Sequence, residues 1–231
     1  MKSDFLRGMS HGIPISLGYL SVSFGFGIKA VSAGLSVLAS SLISATNLTS
    51  AGQAAGVDII AVGGTIIEMI LVQLTINIRY SLMALSLSQK LDGKFTFPHR
   101  LIASYGITDE IFAVCSAQKQ KLTPAYMYGM ILISAVGWVT GTALGATAGQ
   151  LLPESISNAL GIVLYGMFMA VIIPPSRKQK SVLVVVIVSA LISVLFKYLV
   201  TAVSSGFAVI ISAVIASVIG AILFPVGEEN E

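Results

Sequence analysis

Four apolar runs, at 127–149, 156–173, 181–201 and 206–224, occupy most of the chain beyond residue 126. Each is close to the roughly 20 residues with which a helix crosses a hydrocarbon layer about 30 Å thick. Backbone in hydrocarbon must satisfy its hydrogen bonds within the segment, so these runs read as helices. Two further runs precede them. The one at 12–30 has Pro14 in its expected first turn, where a missing N–H costs nothing. The one at 57–88 exceeds a single crossing and carries Asp58, Glu68 and Arg79, so it is either one long tilted helix or a broken one. Only 10% of the residues are charged and the mean hydropathy is +0.93, whereas a soluble domain carries about a quarter charged residues. The expected fold class is all-α: a polytopic integral membrane protein forming a single transmembrane domain over 1–231, with about six full transmembrane helices plus two broken or re-entrant segments.

Lys2 and Arg7 before the first run, and Val31-Ser32-Ala33 after it, have the look of a cleavable leader, but Lys29 interrupts the junction and the run is read as a retained span. The connections holding Lys2 and Arg7, Lys90, Lys94 and Arg100, Lys119 and Lys121, and Arg177, Lys178 and Lys180 are expected on the cytoplasmic side, which also places both termini there. The segment at 101–118 therefore has basic residues at both ends. It cannot cross once and should enter and return, with Gly106, Thr108, Asp109 and Glu110 at its tip. Carboxylates in hydrocarbon cost several kcal/mol by most estimates, so Asp109 and Glu110 mark a functional site. A second interrupted stretch, from Thr46 to Gln53, gathers small and amide side chains between apolar flanks and should dip in from the opposite face. Interrupted segments in two oppositely oriented halves point to a transporter binding site and leave an inverted repeat open.

Other patterns are excluded by context. Gly25-Phe26-Gly27-Ile28-Lys29-Ala30 matches the spacing of a dinucleotide-binding fingerprint but ends a hydrophobic span and follows no strand. Cys115 is the single cysteine and reads as a packing residue. His11 and His99 lie far apart, so no metal site is expected. No cofactor, catalytic set, nucleotide-hydrolysing motif or basic stripe for nucleic acid is apparent; a transporter is expected, not an enzyme.

Gly137, Gly141, Gly145 and Gly149 recur every four residues and open a groove of bare backbone that a neighbouring helix, internal or from a partner, can fill. In the run at 57–88, Gln73 and Asn77 share a face of a helix, Arg79 does not, and Glu68 lies about 180° from Asn77 at ~100° per residue. One unbroken helix cannot aim all of them at one cavity. Arg79 either snorkels to the interface or pairs with Asp109 or Glu110.

Thr49-Ser50-Ala51-Gly52-Gln53, Asn77-Ile78-Arg79-Tyr80 and Thr108-Asp109-Glu110-Ile111-Phe112-Ala113-Val114, in that order and spacing, resemble the AzlC family of branched-chain amino acid permeases, as do Gly12-Ile13-Pro14 and Gly25-Phe26-Gly27. The resemblance covers most of residues 8–175, and the family usually has histidine where this chain has Tyr80. It implies export of leucine, isoleucine, valine or related apolar amino acids across the bacterial cytoplasmic membrane, with a small AzlD-type membrane subunit as partner. A zwitterion needs an anion for its ammonium and donors for its carboxylate. Gln53, Asn77, Arg79, Thr108 and Glu110 are the expected substrate contacts, with Asp109 and Glu110 as candidates for proton coupling, because burial raises a carboxyl's affinity for protons. Within the pair, Asp109 is expected as the structural member, capping a helix after Thr108, and Glu110 as the cavity group. A polar-lined channel and a non-transporting scaffold subunit are the alternatives.

Overall fold

Helices form wherever the apolar runs require them. The computed structural model describes residues 2–200 and 203–225, without the side chains of residues 2, 154, 157–161, 163, 164, 167 and 171. The helices are α1 (Lys2–Ser32), α2 (Val37–Thr46), α3 (Ser50–Ala61), α4 (Ile66–Ser88), α5 (Phe97–Tyr105), α6 (Asp109–Ser116), α7 (Pro124–Leu151), α8 (Glu154–Lys178), α9 (Lys180–Leu199) and α10 (Ser205–Leu223). Among the described residues, α1, α4, α7, α9 and α10 are the five helices long and apolar enough to cross a membrane, and α8 occupies the sixth expected position. The fold is that of an all-α polytopic membrane protein. Thr201, the expected end of the fifth run, lies outside the described residues.

Two boundaries differ from expectation. Pro14 stands inside α1 and not in its first turn, because Lys2 to Gly12 is itself helical; tolerance of such a proline is a property of helices whose neighbours re-satisfy freed backbone groups. The run at 57–88 is the broken alternative. It is interrupted by a turn in which Gly63 adopts φ +67° and Gly64 N–H donates to Ile59 O at 2.8 Å. That positive φ is one only glycine adopts without strain.

By its internal contacts the chain divides into two units, one of residues 1–57 and 76–164, the other of residues 58–75 and 165–231. The first is built on a parallel pair, α1 and α7. A Cβ on Gly8 would meet Tyr126 O at 2.0 Å, on Gly141 Leu20 O at 2.4 Å, on Gly145 Phe24 O at 2.0 Å, and on Gly27 Thr142 O at 2.3 Å. Glycines on both helices thus bring the backbones into contact along their whole length. The groove of Gly137, Gly141, Gly145 and Gly149 is filled by α1 itself, facing Ser16, Leu20 with Ser23, Phe24, and Ile28 with Val31 in turn. Of the two fillings the sequence left open, the internal one is realised.

The interrupted segments pack as two hairpins against this pair. Before α5 and after α6 the chain is zipped together: Leu122 N–H donates to Lys90 O at 2.9 Å, Asp92 N–H donates to Leu122 O at 3.0 Å, and Lys90 Nζ donates to Ser116 O and Gln118 O. The segment between therefore leaves and returns at one end of α7, beside Arg7 of α1, whose guanidinium donates to Gln120 Oε1 at 2.8 Å. Three of the basic connections accordingly converge on one end. The α2–α3 hairpin belongs to the other end, where Val57 of α3 packs with Phe26 and Ala30 of α1 and beside Ala33 and Leu35 of the α1–α2 turn. A long helix followed by two half-helices occurs twice, as α1–α3 and α4–α6, and the hairpins enter from opposite ends, as an inverted repeat requires.

In the second unit, α9 and α10 pack closely, a Cβ on Gly220 meeting Val185 Cγ2 at 2.5 Å. Buried Glu68 accepts from the Ser204 hydroxyl at 2.5 Å and from the Gly206 N–H at 2.9 Å. A carboxylate here satisfies the otherwise orphaned donors at the start of α10.

Candidate functional site

The tip of the α5–α6 hairpin is made by a sequence that stops one helix and starts another. Gly106 ends α5, its N–H bonded back to Ala103 O, and its lack of a side chain admits Ile131 of α7, which a Cβ would meet at 2.3 Å. Thr108 is the N-cap of α6: its Oγ1 accepts from the Ile111 N–H at 3.3 Å. Asp109 and Glu110 follow as the first two helical residues, where the positive end of the helix favours acidic side chains. The cap is therefore Thr108 and not Asp109, because a β-hydroxyl in extended backbone reaches the free N–H groups while the next residue already has helical geometry.

The two carboxylates diverge. Asp109 Oδ2 lies 2.8 Å from Arg79 Nη1, with the two side chains 38% and 41% exposed, so each ion keeps one face open. The Arg79 guanidinium also sits 5.0 Å over the Tyr80 ring and donates to the Tyr80 hydroxyl at 3.3 Å. Glu110 Oε2 lies 2.7 Å from the hydroxyl of Tyr19, which is also 2.5 Å from Thr108 Oγ1. A phenol has one proton, so it donates to the carboxylate while its oxygen accepts from the threonine. Arg79 and Asp109 thus meet, and Thr108 and Glu110 meet through Tyr19. Asn77, on α4 two residues before Arg79, is half-buried.

Gln53 is placed at the other hairpin. It is 2% exposed, and its amide is committed: Nε2 donates to Ile43 O at 3.2 Å and to Asn47 O, while Oε1 accepts from Trp138 Nε1 at 3.0 Å. It ties the break between α2 and α3 to α7. Thr49 Oγ1 accepts from the Gly52 N–H at 3.0 Å, so both half-helices after a break, α3 and α6, begin on a threonine hydroxyl. Ser44 and Thr142 hydroxyls, 2.7 Å apart, add a second tie between α2 and α7.

Sequence reasoning overlooked Tyr19 and Trp138. They meet edge to face with ring centroids 5.2 Å apart. Both lie inside apolar runs, where an aromatic residue signals packing, and their polar contacts are 85 and 91 residues away in the chain. Cys115 is a buried packing residue whose Sγ lies 3.4 Å from Met127 Sδ. His11 and His99 each pair with a tyrosine hydroxyl, Tyr126 at 2.8 Å and Tyr128 at 2.6 Å. Among the described residues no three His, Cys, Asp or Glu side chains cluster as metal ligands.

The AzlC protein profile matches residues 14–152, from α1 through α7. A membrane protein of Archaeoglobus fulgidus is 31% identical over 174 residues, covering 74% of this chain and 75% of the relative. Inner membrane protein YgaZ of Escherichia coli is 27% identical over 190 residues, 79% of this chain and 78% of its own length. A Helicobacter pylori membrane protein is 24% identical over 176 residues, 70% of this chain and 76% of the relative. No solved structure matches the chain. A profile match running through both hairpins, together with these relatives, identifies this membrane protein as a member of the AzlC family.

Proposed function

We propose that the protein is a secondary active permease that exports branched-chain or related apolar amino acids, driven by proton entry. The observation that carries this reading is the half-open Arg79–Asp109 pair beside the tyrosine-held Glu110 at the start of a re-entrant half-helix. A zwitterion presents an ammonium and a carboxylate at fixed spacing. An ion pair whose members each keep one face free offers both complementary charges, and a second carboxylate beside it can carry a proton. Apolar side-chain preference follows from the family resemblance and suits a surroundings poor in charge. The membrane is the cytoplasmic one, with both termini inside, on the basic connections that gather at one end. A small AzlD-type subunit completes the transporter.

Uptake and efflux of labelled amino acids in everted vesicles, with and without a pH gradient and with and without the small subunit, tests this. Saturable leucine flux that is stimulated by the gradient and by counter-substrate is expected. Non-saturable flux would favour a channel, and no flux with the partner present would favour a scaffold.

A further inference from the structure

The two hairpin breaks, which enter from opposite ends of the α1–α7 pair, are joined by an unbroken run of side-chain contacts. Gln53 holds the carbonyls of Ile43 and Asn47 at the first break and accepts the indole N–H of Trp138 at 3.0 Å. Trp138 meets Tyr19 edge to face at 5.2 Å. Tyr19 reaches Thr108 at 2.5 Å, the cap of the second break, and Glu110 at 2.7 Å. Both rings are nearly fully buried, Trp138 at 1% and Tyr19 at 6%, and they stand on the two helices whose glycines lock them backbone to backbone. A close-packed interior has discrete arrangements and does not deform smoothly, so a change at one end of such a run is felt at the other.

We propose that Tyr19 and Trp138 are positioning residues that couple the two half-helix breaks, so that the state of Glu110 at one hairpin sets the conformation of the Gln53 break at the other. Loss of charge on Glu110 weakens the bond it accepts from the Tyr19 hydroxyl. The phenol then re-aims toward Thr108, and the ring edge carries that shift to Trp138 and its bond to Gln53. In a carrier this linkage keeps access to one face tied to closure of the other. The inference deepens the permease reading, on which its meaning for transport rests, but its test needs no flux.

In the full chain with Cys115→Ala, a single cysteine is placed at Thr46, exposed at the end of α2, or at Ser104, exposed at the end of α5. Its rate of modification by a membrane-permeant maleimide is then read in vesicles. Glu110→Gln should change the rate at position 46 by about threefold or more, the scale of coupling between groups in one contact network. In a Tyr19→Phe background, which keeps the ring and removes the hydroxyl, the same substitution should leave position 46 unchanged. Conversely, Gln53→Leu should change the rate at position 104. Should that variant fail to fold, Trp138→Phe, which removes only the indole donor and part of the ring system, takes its place. A rate at position 46 that ignores Glu110→Gln, or a change that survives Tyr19→Phe in full, overturns the proposal. Normal coupling in vesicles that carry no amino acid flux would overturn the permease reading alone.

Discussion

Asp109 and Glu110 are neighbours in sequence and have different surroundings in space, since consecutive helical positions point about 100° apart. Asp109 lies against a guanidinium 2.8 Å away, and Glu110 against a phenol at 2.7 Å. An amide at position 109 still accepts a hydrogen bond from Arg79 and loses only the ionic part, which for a partly exposed pair is worth about 1 kcal/mol or less. Asp109→Asn is accordingly expected to retain transport within about tenfold of the parent. An amide at position 110 cannot take up or release a proton. Glu110→Gln should abolish flux driven by a pH gradient while the protein still elutes from size exclusion as the parent does. If both amide variants carry leucine at the parental rate with the parental pH dependence, neither carboxylate is the chemical centre. The site would then lie around Gln53 and Asn77.

At the level of elements, the parallel α1–α7 pair is the frame on which both hairpins hang, and it depends on glycine at particular positions. A Cβ at Gly145 would stand 2.0 Å from Phe24 O and one at Gly141 2.4 Å from Leu20 O, distances at which backbone must move. Gly18, on the same α1, has nothing within 4 Å of the corresponding position. Gly145→Ala should therefore destabilise the protein by on the order of 1–3 kcal/mol through overpacking. Gly18→Ala should be neutral or stabilise by up to about 1 kcal/mol, because alanine is the better helix former. Thermal unfolding in detergent, followed by tryptophan fluorescence, compares the two. Equal melting temperatures for the two variants would mean that α1 and α7 are not in backbone contact.

For the whole molecule, the consequence is a sidedness that labelling can read. Leu91 pairs with Leu122, so the connections before α5 and after α6 share one face. Cysteines introduced near Lys94 and Lys119 should both react with an impermeant reagent added from the cytoplasm and neither from outside, and one near Lys178 should behave likewise on the charge rule. Labelling of the Lys119 region from outside while Lys94 labels from inside would make α5–α6 a crossing and not a hairpin. Because α1 fills the glycine groove, the small subunit proposed above would dock on another surface. Full transport by the purified chain alone in liposomes would remove the need for one.

Much of this was legible in the chain itself. Hydrocarbon admits only self-satisfied backbone, so apolar run lengths determined that the protein is helical and polytopic. Basic residues at both ends of 101–118 determined that the segment returns, and Gly106 followed by Thr108 marked its tip. The four-residue glycine spacing determined that a helix would pack there. These signals are local: they depend on residue type and period, and solvent or lipid enforces them wherever the chain goes. What fills the glycine groove, which carboxylate meets Arg79, and the use of Gln53 as a brace joined through Trp138 and Tyr19 to the other hairpin were decided only by tertiary structure. Each depends on contacts between residues far apart in sequence, 85 positions for Gln53 and Trp138 and 91 for Tyr19 and Glu110. An apolar run gives no sign of which of its aromatic side chains will find a polar partner until the helices have packed.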